Sequence, residues 1–300
     1  MSIGWVAGSV RAEALVNRRL GTSMARELAG LPSLVEALDV LADSSYGHDV
    51  RPEHTLVQAE RAIGATLLWH MRVLAGWQPR PRGEMVRILA GGFEISNVDD
   101  LLATTGAAPY RLGTLATAWP FLAKATSLTQ IRDVLAASAW GDPGMATPVA
   151  IGLAMRLAWA DRVIAGVPDA RRWAAGAAAL LVAKEKFVHE HVLDSRRAAA
   201  LLGQEAVFAD SLDDYRTALP DEGRWALADI AEPRQLWRGE AAWWTTVEQR
   251  GFDLMQRARF DSRALVGALA VLAVDAWRVR AALQMAARGG GPLEVFDAIT

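Results

Sequence analysis

The chain has 300 residues with 32 basic and 34 acidic side chains, a net charge of −2. That balance gives no electrostatic case for nucleic acid as a partner. It contains no cysteine, which excludes disulfides, thiol catalysis and thiolate metal sites. Its longest uncharged run, Pro143–Met155, has 13 residues, short of the roughly 20 a spanning helix needs.

In chain order, the first segment, MSIGWVAGSVRAEALVNRRLG, lacks a basic start followed by a long apolar run and so does not read as a signal peptide. Its Arg11, Arg18 and Arg19 form a basic pattern that reads equally as an exposed helix face or as a surface for an acidic partner. Next come two matching stretches, SLVEALDVLADSSYG at 33–47 and SLTQIRDVLAASAWG at 127–141. Aligned from Leu28 and Leu122 without a gap, ten of twenty positions are identical. Self-similarity of this kind is the mark of a repeated unit.

Each copy reads as a short capped helix. Leu34, Ala37, Leu38 and Leu41 recur at i, i+3, i+4 and i+7, and so do Leu128, Ile131, Val134 and Leu135 closely enough to form a stripe. Ser33 with Glu36, and Ser127 with Gln130, predict capping boxes. Gly47 and Gly141, each after an aromatic residue, predict left-handed stops. A more degenerate third copy, SLDDYRTALPDEGRW at 211–225, keeps Ser211 and Asp214 at the cap positions.

Long helical patterns follow each copy, over Glu53–Leu74, Val149–Ala165, 171–187, Trp237–Arg259 and 261–290, and no sustained strand alternation competes with them. The expectation is an all-α fold in three helical units, 1–102, 103–195 and 196–300, forming one continuous domain. Gly91-Gly92 and Gly289-Gly290-Gly291 read as helix stops, because neither is followed by the Lys-Ser/Thr of a phosphate-binding loop.

The sequence holds no nucleophile elbow and no H-E-x-x-H pair, and it implies no cofactor. His189, His191 and Asp194 are the one metal-like cluster. On a helix, the two histidines would point some 200° apart, so a solvated helix end is the better reading and no metal is assigned. Twelve tryptophans, with Trp237, Trp243 and Trp244 close in sequence and Trp225 nearby, read first as helix packing and second as interface.

The opening GWVAGSVRAEALVNRRLG, then LAGLPSLVEALDVLADSSYG and FEISNVDDLLA (93–103), resemble the C-type rotor component of V/A-type rotary ATPases, whose eukaryotic equivalent is the d-type component. LLVAKEKF (180–187) and DAWRVRAAL (275–283) resemble its later helices more loosely. The resemblance implies a funnel-like body of three pseudo-symmetric repeats without catalytic activity. It further implies that the chain sits peripherally on the cytoplasmic side of the membrane. There it would join the membrane c-ring to the D and F subunits of the central stalk and pass torque for proton or sodium transport. Arg11, Arg18, Arg19 and Trp277 are the candidate interface residues. The alternative is an α-helical scaffold or adaptor with an unrelated partner.

Overall fold

A computed structural model describes residues 3–77, 80–191, 195–258 and 261–300. Among them the secondary structure is helical and contains no strand. In chain order the α-helices are α1 (Ile3–Asn17), α2 (Gly21–Ala29), α3 (Leu34–Ala42), α4 (Leu56–Gly76), α5 (Arg80–Leu89) and α6 (Gly91–Leu102). Then come α7 (Trp119–Leu122), α8 (Leu128–Ala136), α9 (Pro148–Gly166), α10 (Arg171–Phe187), α11 (Ser195–Leu202) and α12 (Gln204–Phe208). The last are α13 (Leu212–Ala218), α14 (Asp221–Arg224), α15 (Leu236–Gln256), α16 (Ser262–Ala286) and α17 (Leu293–Ile299). Among the described residues, no helix is long and apolar enough to cross a membrane.

The chain packs as two compact units, one from residues 1–82 with 244–300 and the other from residues 83–243. In the first, α16 is the central element and packs against α1, α2, α3 and α4. Its stretch from Ala264 to Leu272 is buried on all sides, so it lacks the polar face of a surface helix. Leu28, Ala37, Leu38, Leu41 and Ile63 meet Val279 and Leu283 in one core. In the second unit, α9 packs against α6 and α10. Leu122, Ile131, Leu135 and Trp140 meet Val98, Ile151 and Met155 there.

The two matched stretches therefore use matched positions for burial. Leu28 and Leu122, Ala37 and Ile131, Leu41 and Leu135, and Tyr46 and Trp140 each lie 94 positions apart, and all are buried. The stripe is less complete in the second copy, where Leu128 is exposed and Val134 only half-buried.

Candidate functional site

The serine caps form as the sequence predicts. Ser33 accepts from the Glu36 amide, Ser127 from the Gln130 amide and Ser211 from the Asp214 amide, each satisfying an orphan donor of a first helical turn. The returning half of the box differs. Glu36 and Asp214 accept from the serine hydroxyls rather than from the backbone, while Gln130 accepts from the Thr126 amide at 2.8 Å. A complete capping box does form at Thr55 and Gln58, where the sequence carries the T-x-x-Q signal.

The stops need correction. α3 ends at Ala42 and α8 at Ala136, five residues before the glycines. Each end is turned by a serine: the Ser44 hydroxyl donates to the Leu41 carbonyl at 2.7 Å and accepts from the Tyr46 amide at 3.1 Å. Ser138 does the same between Leu135 (2.8 Å) and Trp140 (3.1 Å). Gly141 takes a left-handed φ of +75°, but Gly47 has no positive φ. Position 47 needs glycine for a different reason: a Cβ there would overlap the Ala42 carbonyl oxygen. Gly91 and Gly92 open α6 rather than stop a helix, and a Cβ at Gly91 would lie 2.8 Å from the Trp159 ring. The glycines after α16 do serve as a stop, Gly289 and Gly290 having φ of +91° and +73°.

These turns deliver two aromatic side chains to buried carboxylates. Tyr46 donates its hydroxyl to Asp275 of α16 at 2.8 Å, and Asp275 also accepts from the amides of Leu20 (3.1 Å) and Gly21 (2.8 Å), at the start of α2. In the second unit the Trp140 indole donates to Glu94 of α6 at 2.8 Å. Glu94 also accepts from the amides of Thr117 (2.6 Å) and Ala118 (2.7 Å), at the start of α7. Both carboxylates are 1% exposed, so each buried charge is carried by three directed donors, as burial requires. Burial raises the Tyr46 phenol well above its ordinary pKa, and the charge of Asp275 adds to this. Arg162 lies over the Trp140 ring at 5.0 Å; burial lowers its pKa, with Glu94 acting in the opposite sense.

The third copy differs. Tyr215, fully buried, donates to the Ala179 carbonyl of α10 at 2.9 Å instead of to a carboxylate, and burial raises its pKa. Trp225 donates to the carbonyls of Glu222 and Arg172. Among the neighbouring tryptophans, Trp243 donates to the Trp173 carbonyl, Trp237 is exposed, and Trp244 stacks on Trp277 at 5.0 Å.

Of the predicted interface residues, Arg11 and Arg18 share a groove of about 520 Å³ in the first unit. They face Ser45, His48, Trp69 and His70 across it. Arg19 is not part of that groove; it donates to the Val16 carbonyl at 3.0 Å and lies over the Phe252 ring. Trp277, half-buried on Trp244, is not part of the groove. Burial, followed by repulsion from His48, lowers the pKa of His70 to about 4, with Asp49 opposing.

The histidine cluster also needs correction. α10 ends at Phe187, so His189 and His191 are not on a helix; their rings stack at 5.6 Å, and His191 meets Glu185 at 2.6 Å. Asp194 lies outside the described residues. Among those described, no group of three or more His, Asp or Glu is placed to hold a metal ion.

Compared with known protein families and with curated proteins, the chain matches none.

Proposed function

We propose that the chain is the non-catalytic central-rotor component of a V/A-type ATPase, the counterpart of the C-type component. In this reading it stands peripherally on the cytoplasmic side of the membrane. It connects the D and F subunits of the central stalk to the c-ring and transmits torque for proton or sodium transport. The body is funnel-like and built from three pseudo-symmetric helical repeats.

The observation that carries the proposal is the recurring joint. At Tyr46 and again at Trp140, a capped helix ends in a serine turn whose aromatic side chain bonds a carboxylate buried on another helix. In both places that carboxylate also holds backbone amides at the entry to the preceding short helix. The joint ties three helices through one charge with every donor directed at it, and such networks resist relative sliding of the helices. A torque coupler has that mechanical requirement. The sequence resemblance supplies the partners, and the repeated joint supports the repeated body.

The test is affinity purification of the tagged chain from detergent-solubilised membranes of its host. Recovery of the c-ring with the D and F subunits is expected. A host complex that assembles in full without this chain overturns the assignment. Recovery with an unrelated partner instead favours the scaffold reading.

A further inference from the structure

We propose that the groove between α1 and α4 is a binding site for a phosphomonoester dianion, the phosphate being clamped by Arg11 and Arg18. This site does not depend on the rotor assignment.

The α1 wall is a regular stripe. Arg11, Ala14, Leu15 and Arg18 stand at i, i+3, i+4 and i+7, so two guanidinium groups flank a small apolar floor. Seven residues of helix separate them by about 10 Å along the axis, within the combined reach of two arginine side chains converging on one anion. Among the described residues, neither guanidinium meets a carboxylate at ion-pairing distance. Arg11 lies over the Trp77 ring at 6.0 Å, a contact that leaves its N–H edges open.

The opposite wall adds polar groups and further donors. Ser45 and His48 come from the turn after α3, and Trp69 and His70 from α4. His48 stacks on Trp69 at 4.9 Å, and its Nδ1 meets Asp49 at 2.9 Å, which fixes the ring and leaves Nε2 for a ligand. The nearby carboxylates are already engaged. Asp49 also accepts from Thr66, and Asp275, below the groove, receives three donors. Among the described residues, no carboxylate lines the groove itself.

Charge selects among anions. Two uncommitted guanidinium groups match a phosphomonoester, which carries about −1.5 to −2 near neutral pH and accepts bidentate bonds. A single carboxylate carries about −1. The groove's size is in the usual range for a small-molecule site, leaving room for an organic group beyond the phosphate. That group belongs either to a free phosphorylated metabolite or to the headgroup of a phosphatidic acid-type lipid.

The experiment titrates the full chain with glycerol 3-phosphate by calorimetry and, separately, with phosphatidylcholine vesicles with and without phosphatidic acid. Binding of the free ester identifies a soluble source; binding only of vesicles carrying phosphatidic acid identifies a lipid source. Arg11→Ala with Arg18→Ala is expected to weaken binding at least tenfold, while Arg238→Ala, an exposed cation in the other unit, leaves it unchanged. In NMR spectra the bound dianion moves the titration of His70 to higher pH. Arg18→Lys, which keeps the charge but loses the planar fork, provides the second variant and is expected to bind more weakly than the parent chain. Absence of binding by both probes, or equal weakening by Arg238→Ala, overturns the proposal.

Discussion

The joints at Tyr46 and Trp140 perform one task with different side chains. In the first unit a long-reaching phenol meets the short carboxylate of Asp275; in the second a shorter-reaching indole N–H meets the longer carboxylate of Glu94. The two hydrogen bonds have the same length of 2.8 Å. Donor reach and acceptor reach thus trade against each other between the two sites. The glycines one residue further on teach the same lesson. Gly47 is required by a close carbonyl and Gly141 by its backbone angle. Identical residues at matched positions can meet different constraints, and different residues can meet the same one.

The largest expected effect comes from removing the carboxylates. Asp275→Ala and Glu94→Ala each orphan three donors in a buried setting, and each should cost about 3–5 kcal/mol in urea unfolding. A cost below about 1 kcal/mol at either site would break the equivalence. The reach argument is sharpened by exchange: Tyr46→Trp combined with Asp275→Glu should cost less than the sum of the two single changes, because the span is restored.

Glycine substitution should separate the two sites. Gly47→Ala drives a Cβ into a backbone carbonyl and is expected to cost about 2–3 kcal/mol. Gly141→Ala places alanine at a left-handed φ against the far end of the Arg197 side chain and should cost about 1–2 kcal/mol. Thermal unfolding of the pair checks the order, and a reversed order refutes the distinction.

The caps should behave alike. Ser33→Ala and Ser127→Ala are each expected to cost about 1 kcal/mol, measured by chemical denaturation, because each loses one bond to an N3 amide. Unchanged stability at both would contradict the capping assignment.

In the first unit, His70 adds a pH dependence to stability. His70 has a folded-state pKa of about 4 against an ordinary 6.5, so the unfolded chain binds the extra proton first. Stability from keeping this ring neutral is complete above about pH 6.5 and is lost as pH falls towards about 4. His70→Gln should flatten that part of the stability profile; an unchanged profile would show that the ring does not contribute.

Much of the fold is legible in the residues themselves. The three serine caps, the glycine stop after α16 and the spans of α4, α9, α10 and α16 follow from short-range patterns. The spacing of Arg11 and Arg18 places them on one helix face, but their opposite wall comes from residues 44–48 and 69–70 and has no local signal. Asp275 and Glu94 do carry one: each is a lone acid within an apolar stretch, LAVDAW and GGFEIS. The histidines show the converse error. Helical periodicity does not extend past Phe187, where the chain leaves the helix and Glu190 takes a φ of +54°.

Local residue patterns specify where helices begin, which faces they bury and that two stretches share one design. These depend on residues within about four positions of each other, where a cap or a stripe is complete. Which carboxylate each aromatic side chain finds depends on long-range packing. Tyr46 and Asp275 lie 229 positions apart, and Trp140 and Glu94 lie 46 apart. A bond of that range exists only after packing brings the helices together. Once buried, neither a carboxylate nor a phenol can be left without its partner at acceptable cost.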